Sequence, residues 1–390
     1  MPEVFQPFSG GGTPLEDQFK SFKDLVRTPY DKEKVDAYTR CRVILMNGIE
    51  NGGVVFLHEF ARMTYNEEIK GILALLRRVE SQHQTLVDWL NPANQSVIET
   101  TIAFEQVAVD LTANLAQNEP DPVVKAQLDF ALLEDFDHLY RYANLMKRLQ
   151  GSGVKEAFGA IGGNAARITQ ERTDIKEGRP TAKEHRHPYD TLRKSYSKGS
   201  ADIKTKLNQA TITFAEQETM NFYREHGNMY EDPLARQLYA EIAEVEEEHV
   251  TGYESLADAS MTWLERLALY QINEAYNYFS CWKTEIHPDI KPIWEQLYRH
   301  ELEHVALAAE LLKKHEGKDI HQMVPGSISP LIEFRPNKEY IDKIIAEQRD
   351  WQYFNMEVMP ASKLPADWPS YAYEKQVRGT GFPSEEAVKR

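Results

Sequence analysis

Glu80 and His83, Asp135 and His138, Glu246 and His249, and Glu301 and His304 form four acid-x-x-His pairs, each inside a long stretch of helical periodicity. They recur at one spacing: 246 − 80, 249 − 83, 301 − 135 and 304 − 138 all equal 166. Positions i and i+3 of a helix share a face, so acid and imidazole of each pair point the same way. Each pair sits among leucines, valines and alanines, as in RHELEHVALAAELL, Arg299 to Leu312. A chain that carries ionisable groups into its apolar faces, twice over and at constant offset, is constrained to build one kind of helical unit two times.

The remaining periodicity agrees. Helical stretches run over roughly 36–64, 66–91, 95–117 and 121–149, and again over roughly 201–229, 232–257, 260–286 and 289–316. Asn, Asp and Pro in LNPANQ, NEPDP, YEDPLA and IHPDIKP supply breaks and helix starts between them. No segment alternates as a strand does, so the chain reads as all-α. The expected organisation is an arm over 1–35, a first bundle over 36–150, a Gly-, Lys- and Pro-rich connection over 151–200, a second bundle over 201–316, and a tail over 317–390 with a short helix near Lys338–Gln348.

Four single acids complete the pattern. Glu50 and Glu105 lie mid-helix in the first half, Glu218 and Glu274 in the second; 218 − 50 is 168 and 274 − 105 is 169. Neighbouring Glu59, Glu216 and Glu247 compete with Glu50, Glu218 and Glu246, and the offsets select among them. His58 and His226 match at 168 and read as core or supporting histidines, while His300 reads as surface or a support behind the pairs. Tyr253, Tyr276, Phe222 and Tyr298 read as core packing. Glu184 and His187 in the connection repeat the spacing by coincidence on a solvated segment.

Several carboxylates on the inner faces of one bundle would repel one another and resist burial. Divalent cations neutralise them, imidazole adds a terminal ligand, and this mixed donor set suits iron or manganese. Here the sequence resembles the ferritin-like di-iron carboxylate superfamily, with a Glu from each of two helices and Glu-x-x-His from each of the other two. The resemblance covers 36–150 and 201–316 and implies a tandem duplication of a ferritin-like four-helix bundle. It implies one site of Glu50, Glu80, His83, Glu105, Asp135 and His138, and another of Glu218, Glu246, His249, Glu274, Glu301 and His304. Each site would hold two iron ions, with manganese as the other metal, bridged by acids of the E-x-x-H pairs. Asp135 departs from the pattern by one methylene, so the site containing it is expected to be looser, half-occupied or differently bridged. Gly52 and Gly53 weaken the first helix but permit close approach of backbone or ligand.

The resemblance implies an oxidoreductase that activates O2 or H2O2, as peroxidase, oxidase or oxygenase. Iron storage with ferroxidase activity and a metal-free scaffold are the other readings; the last requires costly buried polar groups without a role. Asp and Glu outnumber Lys and Arg by 61 to 45, a formal charge of −16, which disfavours nucleic acid as a partner. Cys41 and Cys281 are the only cysteines and form no C-x-x-C pair, so electrons are expected from a separate donor. No signal peptide or membrane-spanning stretch is visible, which makes the cytoplasm the default compartment and a homodimer the assembly the reading allows.

Overall fold

The structure is a computed structural model that describes residues 3–152, 161–351 and 358–389. Residues 153–160 of the expected connection and 352–357 of the expected tail lie outside the described residues. The long helices are Ala37–Met63 (α1), Glu67–Asp88 (α2), Val97–Asn118 (α3), Pro122–Ser152 (α4), Ile203–His226 (α5), Pro233–Ser255 (α6), Trp263–Thr284 (α7) and Lys291–Glu316 (α8). Each falls within a few residues of a stretch expected from periodicity.

Their starts have local causes. Asp36, Asn66 and Asp232 cap α1, α2 and α6 by accepting backbone N–H groups, a contribution of about 1 kcal/mol each. Capping boxes open α3, through Ser96 and Glu99, and α7, through Thr262 and Glu265. Gly317, in the left-handed region at φ +66°, stops α8. At α7 the box carries extra charge, since Glu265 also accepts from Lys198 Nζ at 2.7 Å and Lys318 Nζ at 2.8 Å. Burial opposes ionisation, but the two lysines and the Thr262 N–H prevail and hold Glu265 at about 2, against a usual 4.5. Its contribution to stability is therefore fully present above 4.5 and lost as pH falls toward 2. The difference in melting temperature between wild type and Glu265→Gln, followed by circular dichroism, is expected to shrink through that window; a difference independent of pH would contradict it.

The helices form two compact units, and neither unit is one half of the sequence. Unit 1 comprises Met1–Pro92, Tyr196–Phe214 and Ala257–Glu333; unit 2 comprises Ala93–Ser195, Ala215–Leu256 and Phe334–Arg390. The expected division into 36–150 and 201–316 is thus corrected. Repeat spacing shows which helices are alike, not which ones pack. The hairpin α1–α2 can close a unit with α3–α4 or with α7–α8, because the latter two are alike. The chain takes the second option, with α1 against α7 and α2 against α8.

In unit 1, α1 packs on α2, α7 on α8, and α1 also against α7. Ile44, Ile49, Leu73, Leu76, Val79, Leu267, Ile272, Val305 and Leu312 are buried in its core. The segment expected to be an arm is seated on this unit. Thr13 N–H donates to Arg299 O at 3.0 Å, and Lys20 N–H donates to Gln82 Oε1 at 2.9 Å. Gly12 is required there, because a Cβ would lie 2.6 Å from Glu303 N. Phe5 and Ile328 form an isolated antiparallel bridge.

In unit 2, α3 packs on α4, and α4 against α6. Ile102, Val109, Leu128, Leu132, Leu238 and Ile242 are among its buried residues. The expected solvated connection is instead pinned to this unit by ionic contacts. Thr181 donates its N–H and its hydroxyl to Asp137 Oδ2, both at 2.6 Å, and Glu184 is fully buried. The tail is also docked: Ser384 N–H donates to Glu241 Oε2 at 2.6 Å, and Phe382 stacks on His185. The tail adds Lys338–Glu347, as expected, and two further short helices, Pro369–Arg378 and Pro383–Ala387. Arg349–Trp351 pairs antiparallel with Val358–Pro360, a small exception to an otherwise helical chain. No described helix is long and apolar enough to cross a membrane.

Candidate metal centres

Unit 1 gathers Glu50 from α1, Glu80 and His83 from α2, Glu274 from α7, and Glu301 and His304 from α8. All six are at most 3 % exposed. The two acids of its acid-x-x-His pairs span the two imidazoles. Glu80 places Oε1 3.0 Å from His304 Nδ1 and Oε2 3.2 Å from His83 Nδ1. Glu301 places Oε2 3.0 Å from His304 Nδ1 and Oε1 3.2 Å from His83 Nδ1. Glu50 stands on the His83 side, with Oε1 3.5 Å from His83 Nδ1. Glu274 approaches from α7 and accepts from Gln271 Nε2 at 2.5 Å. Ligand atoms of Glu50, Glu80, His83 and Glu301 all lie within 4.8 Å of one another.

Unit 2 gathers Glu105 from α3, Asp135 and His138 from α4, Glu216 from α5, and Glu246 and His249 from α6. All are at most 1 % exposed. Glu246 spans its imidazoles, with Oε1 3.1 Å from His138 Nδ1 and Oε2 2.8 Å from His249 Nδ1. Asp135 does not. Its Oδ1 is 3.4 Å from His249 Nδ1, while its Oδ2 accepts from Thr112 at 3.5 Å. In this unit, then, one acid of the two pairs reaches both imidazoles.

The expected ligand grouping is corrected along with the units. Glu50, Glu80 and His83 share a centre with Glu274, Glu301 and His304, not with Glu105, Asp135 and His138. Glu218 is also displaced. It is half-buried and outside the cluster, because a two-residue step turns it about 200° around the helix from Glu216. Glu216 takes its place, 3.8 Å from His249 Nδ1. The offset of the acid-x-x-His pairs matches it, since 216 − 50 is 166. Those histidines take no part: His58 is exposed, and His226 bonds Phe222 O within its own helix. Tyr253, Tyr276 and Tyr298 are buried as expected, and Phe222 stacks on Phe104.

A further layer orients the imidazoles. His304 Nε2 donates to Gln18 Oε1 at 2.8 Å, His249 Nε2 to Glu134 Oε2 at 2.6 Å, and His83 Nε2 lies 2.9 Å from His300 Nδ1. In all three the outer nitrogen is engaged, and Nδ1 faces the carboxylates. Tyr278 donates to Glu50, and Tyr223 donates to Glu105 Oε1 at 2.5 Å. Apart from His300, expected as surface or support, these supporting residues carry no sequence signal. They belong to the arm, to a repeat-breaking position or to unrelated helix faces.

The electrostatics are those of a site built around positive charge. Burial, reinforced by Glu80, raises Glu50 to about 8; burial raises Glu216 to about 7. Burial also raises Glu105, Asp135 and Glu274 well above the usual carboxylate range, with neighbouring acids adding to it. Glu246 goes the other way: burial is overcome by His249 and His138, which hold it at about 2. Cations between the carboxylates would replace the protons that such groups otherwise require.

The residues fit divalent metal. Glu50 Oε2, Glu80 Oε2, His83 Nδ1, Glu274 Oε1 and Glu301 Oε1 are buried without hydrogen-bond partners, as are Glu105 Oε2, Asp135 Oδ1 and both oxygens of Glu216. Buried polar atoms are almost always partnered, and these converge on two points. Carboxylate with imidazole is a donor set for a hard to borderline cation. No family model matches the chain, and no curated protein or solved structure matches it.

Proposed function

We propose that each unit is a ferritin-like four-helix bundle holding a pair of iron ions, and that the chain is an oxidoreductase acting on O2 or H2O2. The observation that carries this reading is the double span in unit 1. Two carboxylates each reach both imidazoles, leaving one cation position at His83 and another at His304. Duplication has further support in the capping boxes, since 262 − 96 and 265 − 99 also equal 166. In unit 1, Glu80 and Glu301 would bridge, His83 and His304 would be terminal ligands, and Glu50 and Glu274 would complete the set. In unit 2, Glu246 would bridge, with His138, His249, Glu105, Asp135 and Glu216 around it. Manganese suits the same donors.

Reduced iron pairs supply the electrons that convert O2 or H2O2 toward water or an oxidised product. The chain's own residues do the rest. Their burial excludes bulk water and admits only small reactants directly. Tyr278 and Tyr223 each donate to Oε1, of Glu50 and of Glu105, and so fix these carboxylates in place while Oε2 of each makes no hydrogen bond. Cys41 and Cys281 are both buried, so the electrons are proposed to come from a separate donor.

The test is metal content and turnover. Protein loaded anaerobically with iron is expected to saturate near four ions per chain, about two per bundle, and to consume H2O2 with an artificial electron donor. Uptake far beyond that stoichiometry would favour storage, and no uptake would sink the metal reading.

A further inference from the structure

Unit 2 supports its two imidazoles very differently. Ligand atoms of Asp135, Glu216, Glu246 and His249 form one close group; Glu105, His138 and Glu246 form the other, and they share Glu246. The first offers four donors and the second three. Behind His249, Glu134 accepts from Nε2 at 2.6 Å with one oxygen and from Arg186 Nη2 at 2.6 Å with the other. Arg186 is itself fixed, with its guanidinium 4.1 Å over the Phe130 ring and 3.5 Å from Glu184. Arg179 holds Glu184 in turn at 2.6 Å. This buried ionic chain comes from the connection and locks the His249 ring in one tautomer. Among the described residues nothing comparable lies behind His138, whose Nε2 is buried without a hydrogen-bond partner.

We propose that unit 2 holds two divalent cations unequally: a tight position at His249, secured by Glu134 as a positioning residue, and a weak, exchangeable position at His138. This rests on the two-metal reading above. An anionic acceptor on the outer nitrogen fixes the ring and raises its basicity as a ligand, and loss of such a partner typically costs about 10–100-fold in metal affinity. His138 lacks that partner and also has one carboxylate fewer. The ion at His138 is thus the one that leaves first and the one a competing metal replaces. The connection, by carrying Arg179 and Arg186, sets this order from outside the ligand shell.

The experiment is an anaerobic Mn2+ titration of the full chain carrying Glu80→Ala and Glu301→Ala, so that only unit 2 reports, with free Mn2+ read by electron paramagnetic resonance. Two steps of unequal affinity are expected. His138→Ala removes the weaker step and keeps the tighter one. Glu134→Gln weakens the tighter step by about 10–100-fold, leaving the weaker step unchanged. A single step for both ions, or equal weakening of both steps by Glu134→Gln, overturns the proposal. Where the starting variant does not fold, wild-type crystals soaked in limiting Mn2+ give the order directly. Anomalous density is expected at His249 before His138, and equal or reversed filling overturns the proposal. Absence of Mn2+ from unit 2 altogether refutes the two-metal reading instead.

Discussion

Alanine at Glu80 and alanine at Glu301 are expected to empty the same metal centre, although the two residues lie in opposite halves of the sequence. Each single variant should fall from about four bound metals per chain to about two. The double variant Glu80→Ala/Glu301→Ala should stay near two, because both changes strike unit 1. Glu80→Ala/Glu246→Ala should fall close to zero, because Glu246 spans both imidazoles of unit 2. Elemental analysis of the loaded, desalted proteins distinguishes these outcomes. If the ligands were grouped by sequence order, the first double variant would lose everything. The cost is large because each of the three acids spans both imidazoles of its centre, so its removal disturbs both positions at once. The metal-dependent gain in melting temperature is what the damaged centre should lose.

Gly53→Ala should damage unit 1 by a single methyl group. A Cβ there would lie 2.1 Å from Glu274 Oε1 and 3.3 Å from its carboxyl carbon, so the carboxylate must move. Alanine is otherwise the better helix residue by about 1 kcal/mol. Gly71→Ala is the control, because nothing lies within 4 Å of a Cβ at that position in α2. Gly71→Ala should raise stability and leave metal binding alone. Gly53→Ala should weaken unit 1 by about 10–100-fold, the scale seen when a ligand loses its proper setting, with unit 2 unaffected. Competition against a chromophoric chelator reads both centres, and unchanged affinity would show that Glu274 lies outside the donor set.

What was legible in the sequence is local. The ends of α1, α3, α6 and α7 follow from Asp36, Ser96, Asp232 and Thr262, which act within a few residues. The acid-x-x-His pairs were legible because three residues on a helix are neighbours in space. The grouping of those pairs was not, since α3–α4 and α7–α8 present the same pattern to α1–α2. Glu216 was one offset away and lost to Glu218, two residues along the same helix. Gln18 and Glu134 were invisible for another reason: a support needs only to reach one nitrogen, and any residue of suitable length can do so. Glu184 and His187 looked solvated because composition marks a polar segment, not whether ionic partners bury it.

The segmented make-up of unit 1 also sets a timetable for synthesis. His83 leaves the ribosome 301 − 83 = 218 residues ahead of Glu301. At 5–20 residues per second that is a wait of about 10–40 s, long compared with helix formation. During it, α3 and α4 are made next after α1 and α2, and their Glu105, Asp135 and His138 repeat the ligand types of Glu274, Glu301 and His304. The nascent first half therefore has a complete donor set of its own available, and the finished arrangement is reached only by forgoing it. Contacts so distant in sequence close slowly, so under the proposed two-metal reading early metal capture by the first half would compete with closure of unit 1.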